Sequence, residues 1–221
     1  MFRAAVTCLS LFALQTGAAK CLGTLNSTFP FEEVCYQTLY NNSDGLSVRA
    51  YSGADASAQL VSFNVSAAEI YQEALEMSTF YVISYFAGEG NKRNKSLTAA
   101  RTVPLVLRPP TSEHNLWTSH MALAPSHFPP GSKAPAPGWG ITVSPLGDVT
   151  LAVLHGTLYQ SPQPSDFDEL CSTAAAAVKA QLPDWTIDPT SPFSPSHARY
   201  FSYEFYEGPF DIECWWGMKK V

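Results

Sequence analysis

Hydrophobic and polar positions along the chain alternate in short runs, broken by two longer stretches with helical spacing. Residues 33–40 (EVCYQTLY) are rich in β formers, and NNSDG follows with Asp44-Gly45 as a turn signal. LSVRAYS reads as the return strand and ASAQLVSFNV as a third extended run. Ser66-Ala67-Ala68-Glu69 has the capping-box pattern that opens a helix by satisfying orphan backbone donors. Ala67, Ile70, Ala74, Met77, Tyr81 and Tyr85 then recur on one helical face, and Gly88 is a natural stop. TVPLVL, ended by Pro109-Pro110, and WTSHMALAP read as the next strands.

PSHFPPGSKAPAPG (125–138) cannot form regular structure, because proline removes a donor and fixes φ. Both of its flanks are strand-like, so a surface loop within one domain is expected rather than a linker. WGITV, the turn SPLGD and VTLAVLHG predict a hairpin. A second helix follows Pro164, with Asp166, Asp168 and Glu169 in its first turn, where carboxylates suit the dipole. Phe167, Leu170, Cys171, Ala174, Val178 and Leu182 line its apolar face, and Pro183 stops it. In SYEFY, Tyr203 and Phe205 share one strand face; GPFD makes a turn and ECWWG returns. That aromatic ending reads as two strands closing the sheet, with a ligand-stacking platform as the alternative. The order of strands, helix, strands occurs twice and predicts an antiparallel α+β fold, with helices packed on a curved sheet.

The 221 residues are 46% hydrophobic, ample for one sizeable core. A net charge of -6 argues against nucleic acid, which is bound by clustered Lys and Arg. Arg3, a largely apolar run from Ala4 to Leu14, and small residues at Gly17 and Ala19 make residues 1–19 a secretory signal peptide. The run is too short to span a bilayer, and no later stretch is long enough, so no transmembrane segment is expected. Residues 20–32 then form an N-terminal arm and 33–221 a single domain. Removing the signal removes Cys8 and leaves Cys21, Cys35, Cys171 and Cys214, an even set that allows three disulfide connectivities in an oxidising compartment. Sequons at Asn26, Asn41, Asn64 and Asn94 point the same way, to a secreted glycoprotein.

LSVRAYS (with Val48, Arg49 and Tyr51), the looser SLTAARTVPLVL, the strand and proline-rich loop MALAPSHFPPGSKAPAPG, and Ile212-Glu213-Cys214-Trp215 occur in the order of the signatures of the SOUL, or heme-binding protein, family. The chain resembles that family over about residues 33–221. The resemblance implies a distorted antiparallel β-barrel or curved sheet with two main helices, made of two pseudo-repeated βαβ-type halves. In that arrangement Cys171 would bond Cys214, and Cys21 would bond Cys35.

It also implies heme, or a similar tetrapyrrole or amphipathic small ligand, as a possible cofactor that folding does not require. Such a ligand needs an apolar slot, cations for propionates and sometimes an axial donor. Ile70, Leu75, Met77 and Tyr81 could line the slot along the first helix, although the same residues suit plain core. Lys92 and Arg93, with Lys95, could hold propionates, or could simply be solvated. Met77, His120 and His155 are the axial candidates. His114, His120 and His127 lack the spacing of a zinc site. No nucleophile elbow, zinc-protease helix or phosphate loop is present, and a disulfide would silence a Cys171–His155 pair, so no enzymatic activity is expected. The expectation is a secreted, non-catalytic binder of such a ligand; the alternative is an extracellular module of the same fold that binds a protein partner without heme.

Overall fold

The computed structural model describes residues 22–23, 31–32, 34–65, 71–93, 97, 105–111, 115–123, 128, 131–199 and 210–221. Their elements in chain order are β1 (Leu22–Gly23), β2 (Phe31–Glu32), β3 (Gln37–Asn41), β4 (Leu46–Tyr51), a 3-10 turn at Asp55–Ser57 and β5 (Gln59–Val65). Then come α1 (Tyr71–Ala87), β6 (Leu105–Arg108), β7 (Trp117–Ala122), β8 (Thr142–Pro145) and β9 (Val149–Leu158). The last are α2 (Pro164–Gln181), β10 (Trp185–Ile187), β11 (Ser196–Arg199) and β12 (Phe210–Lys220).

β1 and β2 pair with each other, and the other strands form one antiparallel sheet of ten. Its order is β3-β4-β9-β12-β11-β6-β7-β5-β8, with β10 on the far end of β12. This order reads the same from either end once β4 is matched with β8, β9 with β5, β12 with β7, and β11 with β6. Two ββαββ halves therefore meet at the β6–β11 pairing, where Val106 faces Ala198. The first strand of each half, β4 or β8, pairs into the other half, on β9 and β5 respectively. The fold is α+β, as the residue pattern predicts, and the sheet curves without closing into a barrel.

Strand alternation sorts side chains onto two faces. α2 lays Phe167, Ala174 and Val178 on one face, against Leu46, Val48, Ala152, Leu154 and Ile212. α1 covers the same face farther along, through Val82 and Tyr85 against Val61. The two helices meet over the middle of the sheet, where Tyr71 and Phe167 stand 5.7 Å apart. On the other face, Tyr51 of β4 and Leu60 of β5 share one cluster with Val106, Phe193 and Trp215. Those strands are far apart in the sheet order, so the sheet must curl to bring them together; this second face is the concave one.

α2 begins as its sequence dictates. Gln163 and Asp166 form a reciprocal capping box, Pro164 occupies the first turn, and the carboxylate of Asp166 accepts from Gln163 N at 2.7 Å. The Cys171–Cys214 disulfide ties α2 to β12, and Trp216 Nε1 donates to Cys171 O at 3.0 Å beside it. Cys35 is also disulfide-bonded. Cys21, its expected partner, lies outside the described residues.

Two expectations need correction. The segments 139–143 and 149–156 do not form a hairpin: β8 pairs with β5, whereas β9 lies between β4 and β12. Leu146 N and Gly147 N donate instead to Ala58 O and Ala56 O, so the SPLGD turn carries the chain from the sheet edge across the concave side into the other half. GPFD is not wholly a turn either, because Phe210 and Asp211 already lie in β12. Tyr203 and Phe205 lie outside the described residues; Cys214 and Trp215 are buried on β12, which lies inside the sheet between β9 and β11.

Candidate functional site

Ile70 of the expected α1 slot lies outside the described residues. Leu75 is buried among Tyr71, Leu105, Leu107 and Ile212, Tyr81 stacks on Phe63 at 4.1 Å, and Met77 is half-buried. Lys92 and Arg93 are exposed in the turn after the helix, where Lys92 N donates to Ala136 O. Leu75 thus sits about 18 Å along the helix axis from the end that bears the two cations. The described part of this set is core at one end and solvated charge at the other. Asn41 and Asn64 are exposed, and Asn26 and Asn94 lie outside the described residues.

His155 is fixed on the concave side. Its Nε2 lies 3.0 Å from Oδ1 of the buried Asp211, which also accepts from Thr157 Oγ1 at 3.2 Å. Leu154 faces α2, so alternation turns the neighbouring imidazole away from that helix. Cys171, the nearest sequence candidate for a nucleophile, is consumed by its disulfide.

The concave face carries more polar chemistry than the sequence pattern shows. Arg49 Nη2 donates to Glu213 Oε1 at 2.6 Å and Nη1 to Oε2 at 3.3 Å, while Trp215 Nε1 donates to Oε2 at 2.7 Å. The ring of Tyr36 covers the guanidinium at 4.8 Å. Two of the short motifs, LSVRAYS and Ile212–Trp215, therefore meet in one buried ion pair. Farther along the same face, Ser62 Oγ and His120 Nδ1 are 2.8 Å apart. Burial, with Arg108 nearby, pushes the His120 pKa down to about 4. On the helical face His197 stacks on Phe167 at 4.8 Å, and its burial outweighs the pull of Asp168, lowering its pKa to about 4 as well. Among the described residues no group of three His, Cys, Asp or Glu side chains could hold a metal.

One open cleft is built largely from apolar residues. It lies between α2 and the β3–β4 hairpin, has a volume of about 560 Å³, and is lined by Leu46, Leu154, Leu170, Ala176, Ala177 and Ala180. Asn42, Asp44, Thr173 and Gln181 supply its polar groups, and His155 forms part of the wall. Gln181 Oε1 accepts from both Tyr40 Oη at 2.8 Å and Asn42 Nδ2 at 2.9 Å, bridging the helix end to the hairpin. Three alanines on α2 leave the space that longer side chains would fill. A second, more polar cleft of about 500 Å³ is lined by Tyr51, Asp148, Asp188, Ser191 and Phe193.

No protein-family model and no curated protein matches the chain. Among solved structures, it is similar to SAV2435 bound to tetraphenylphosphonium, at 13% identity and a TM-score of 0.42, over 79% of this chain and 93% of that one. It is also similar to a putative bacterial transcription regulation protein from Staphylococcus aureus MU50, at 12% identity and a TM-score of 0.39, over 85% of this chain and 99% of that one. Among the described residues no helix is long and apolar enough to cross a membrane.

Proposed function

We propose that the chain is a secreted, non-catalytic binder of a small amphipathic ligand, held in the cleft between α2 and the β3–β4 hairpin. The observation that carries this reading is the make-up of the cleft: three leucines and three alanines with a few polar groups at the edge, in a volume typical of small-molecule sites. The leader-like N-terminus and the Cys171–Cys214 bond support an oxidising compartment. The resemblance to the SOUL family supports carriage or sensing rather than turnover.

Heme, the ligand that resemblance suggests, is poorly matched to this cleft. Two propionates call for cations, but the lining offers Asp44 and no Lys or Arg. The imidazole of His155 is turned to the opposite face, onto Asp211. The cleft suits a neutral or cationic amphipath better than a tetrapyrrole dianion.

The test is a titration of the secreted protein with a neutral fluorescent probe, N-phenyl-1-naphthylamine, alongside hemin. Saturable probe binding that is lost in Ala176→Trp and Ala180→Trp supports the cleft. Flat responses to both ligands, or binding indifferent to the two tryptophans, would refute it. The alternative of a protein-binding module draws on α1, where Phe80 and Ile83 are 60% and 49% exposed one helical turn apart. Flat titrations favour that alternative.

A further inference from the structure

Arg108, the last residue of β6, is 8% exposed, and among the described residues no carboxylate pairs with it. Burying a cation without a partner is among the costlier things a fold can do. Among the described residues its Nε has no hydrogen-bond acceptor.

Two neighbours share that condition. His120 on β7 and Ser196 on β11 are 8% and 0% exposed, and among the described residues His120 Nε2 and Ser196 Oγ also lack partners. The register brings all three together. Val106 pairs with His120 and with Ala198, and alternation puts Arg108, two residues past Val106, on the same concave face as His120. Continuing the β6–β11 register by one residue sets Ser196 beside Arg108. Three adjacent strands thus carry three buried polar groups on one face, Ser196 opposite Arg108 and His120 diagonal to it, each with an unused hydrogen-bonding atom.

The two halves differ here in an informative way. His120 and Glu213 hold equivalent places, each opposite one member of the central Val106–Ala198 pair. Glu213 is neutralised by Arg49. At the other place an arginine is present, and among the described residues no carboxylate pairs with it.

We infer that Arg108, His120 and Ser196 form a site for a small carboxylate or similar oxyanion on the concave face. The anion supplies the negative charge that the described residues do not. Arg108 donates through its guanidinium and Ser196 through its hydroxyl. Ser62 Oγ lies 2.8 Å from Nδ1; with the hydroxyl as donor of that bond, neutral His120 carries its proton on Nε2, facing the anion. β6 ends at Arg108, and Pro110 is already exposed, so the cluster lies close to the surface. The site is on the opposite face of the sheet from the α2 cleft and does not depend on it.

The test uses the full secreted chain with sodium acetate and, in parallel, sodium phosphate, each against sodium chloride at matched ionic strength. Expected are a saturable rise in the thermal midpoint and a shift of the His120 ring Nε2 signal by ¹⁵N NMR, with acetate or with phosphate. Arg108→Gln should abolish both. Ser196→Ala, a milder change that keeps the fold if Arg108→Gln does not, should weaken the apparent affinity about tenfold. No saturable response in the wild type overturns the site. So does a response that survives both variants, or stabilisation by Arg108→Met of a wild type blind to both anions, which marks a merely tolerated buried charge.

Discussion

Arg49 and Glu213, 164 residues apart in the chain, meet at 2.6 Å in an interior where the carboxylate has no exposed surface. Neither charge is stable there alone, so each residue is held by the other. Arg49→Met should cost about 3–5 kcal/mol, because it strands a buried carboxylate. The double variant Arg49→Met/Glu213→Leu should recover much of that loss. Recovery should be incomplete, since Trp215 Nε1 loses its acceptor, a penalty of about 1–3 kcal/mol. Urea unfolding midpoints of the three proteins decide the matter.

The covalent tie between α2 and β12 encloses a sequence separation of 43. Closing a loop of that size in the unfolded chain corresponds to about 4 kcal/mol. Cys171→Ala/Cys214→Ala should lower the unfolding free energy by that order, and a reducing agent should then have a smaller effect than on the wild type. Equal sensitivity of both proteins to reductant would show that the stabilising bond lies elsewhere.

Acid should unfold the protein early. His120 and His197 are held neutral in the fold, each with a pKa pushed down to about 4, whereas an unfolded histidine titrates near 6.5. Their contribution is fully present above about pH 6.5 and is lost as pH falls toward 4, because the unfolded chain then binds protons the native chain refuses. Each shift is worth up to about 3 kcal/mol. His197→Phe keeps a ring against Phe167 and removes one of the two groups, so its urea midpoint should fall less between pH 7.5 and 4.5 than that of the wild type.

Gly217 is required by contact. A Cβ there would collide with Ser191 Cβ and lie 2.9 Å from Ser194 Oγ, and the Gly217 N–H already donates to Ser194 Oγ at 2.7 Å. Gly217→Ala should destabilise by about 1–3 kcal/mol or more. Adding Ser191→Gly should restore part of the loss; if it does not, the clash is not the cause.

Much of the fold is written in local pattern. The apolar face of α2 reads correctly from Phe167 to Leu182 because a single stripe faces the sheet and the opposite side is polar. α1 is harder: Phe80 and Ile83 are exposed while Leu75, Val82 and Phe86 are buried, so apolar residues surround the helix and periodicity does not fix its inner face. The hairpin expected between β8 and β9 fails for another reason. A tight turn between two strands looks the same whether they pair with each other or diverge to different partners, and only the distant β5 and β4 settle it. The site chemistry is least legible. Arg49 reads as a motif residue without its partner, and nothing local tells a buried Arg108 from one ending a surface strand before two prolines.

The exchange of β4 and β8 between the halves has a further consequence. Cut anywhere in the proline-rich stretch, the chain would yield two fragments that each carry a strand belonging to the other. Neither could complete its own sheet, yet the pieces are cut to fit, and mixing them should rebuild the whole. The same geometry lets two intact copies trade halves through an open joint and form an intertwined dimer.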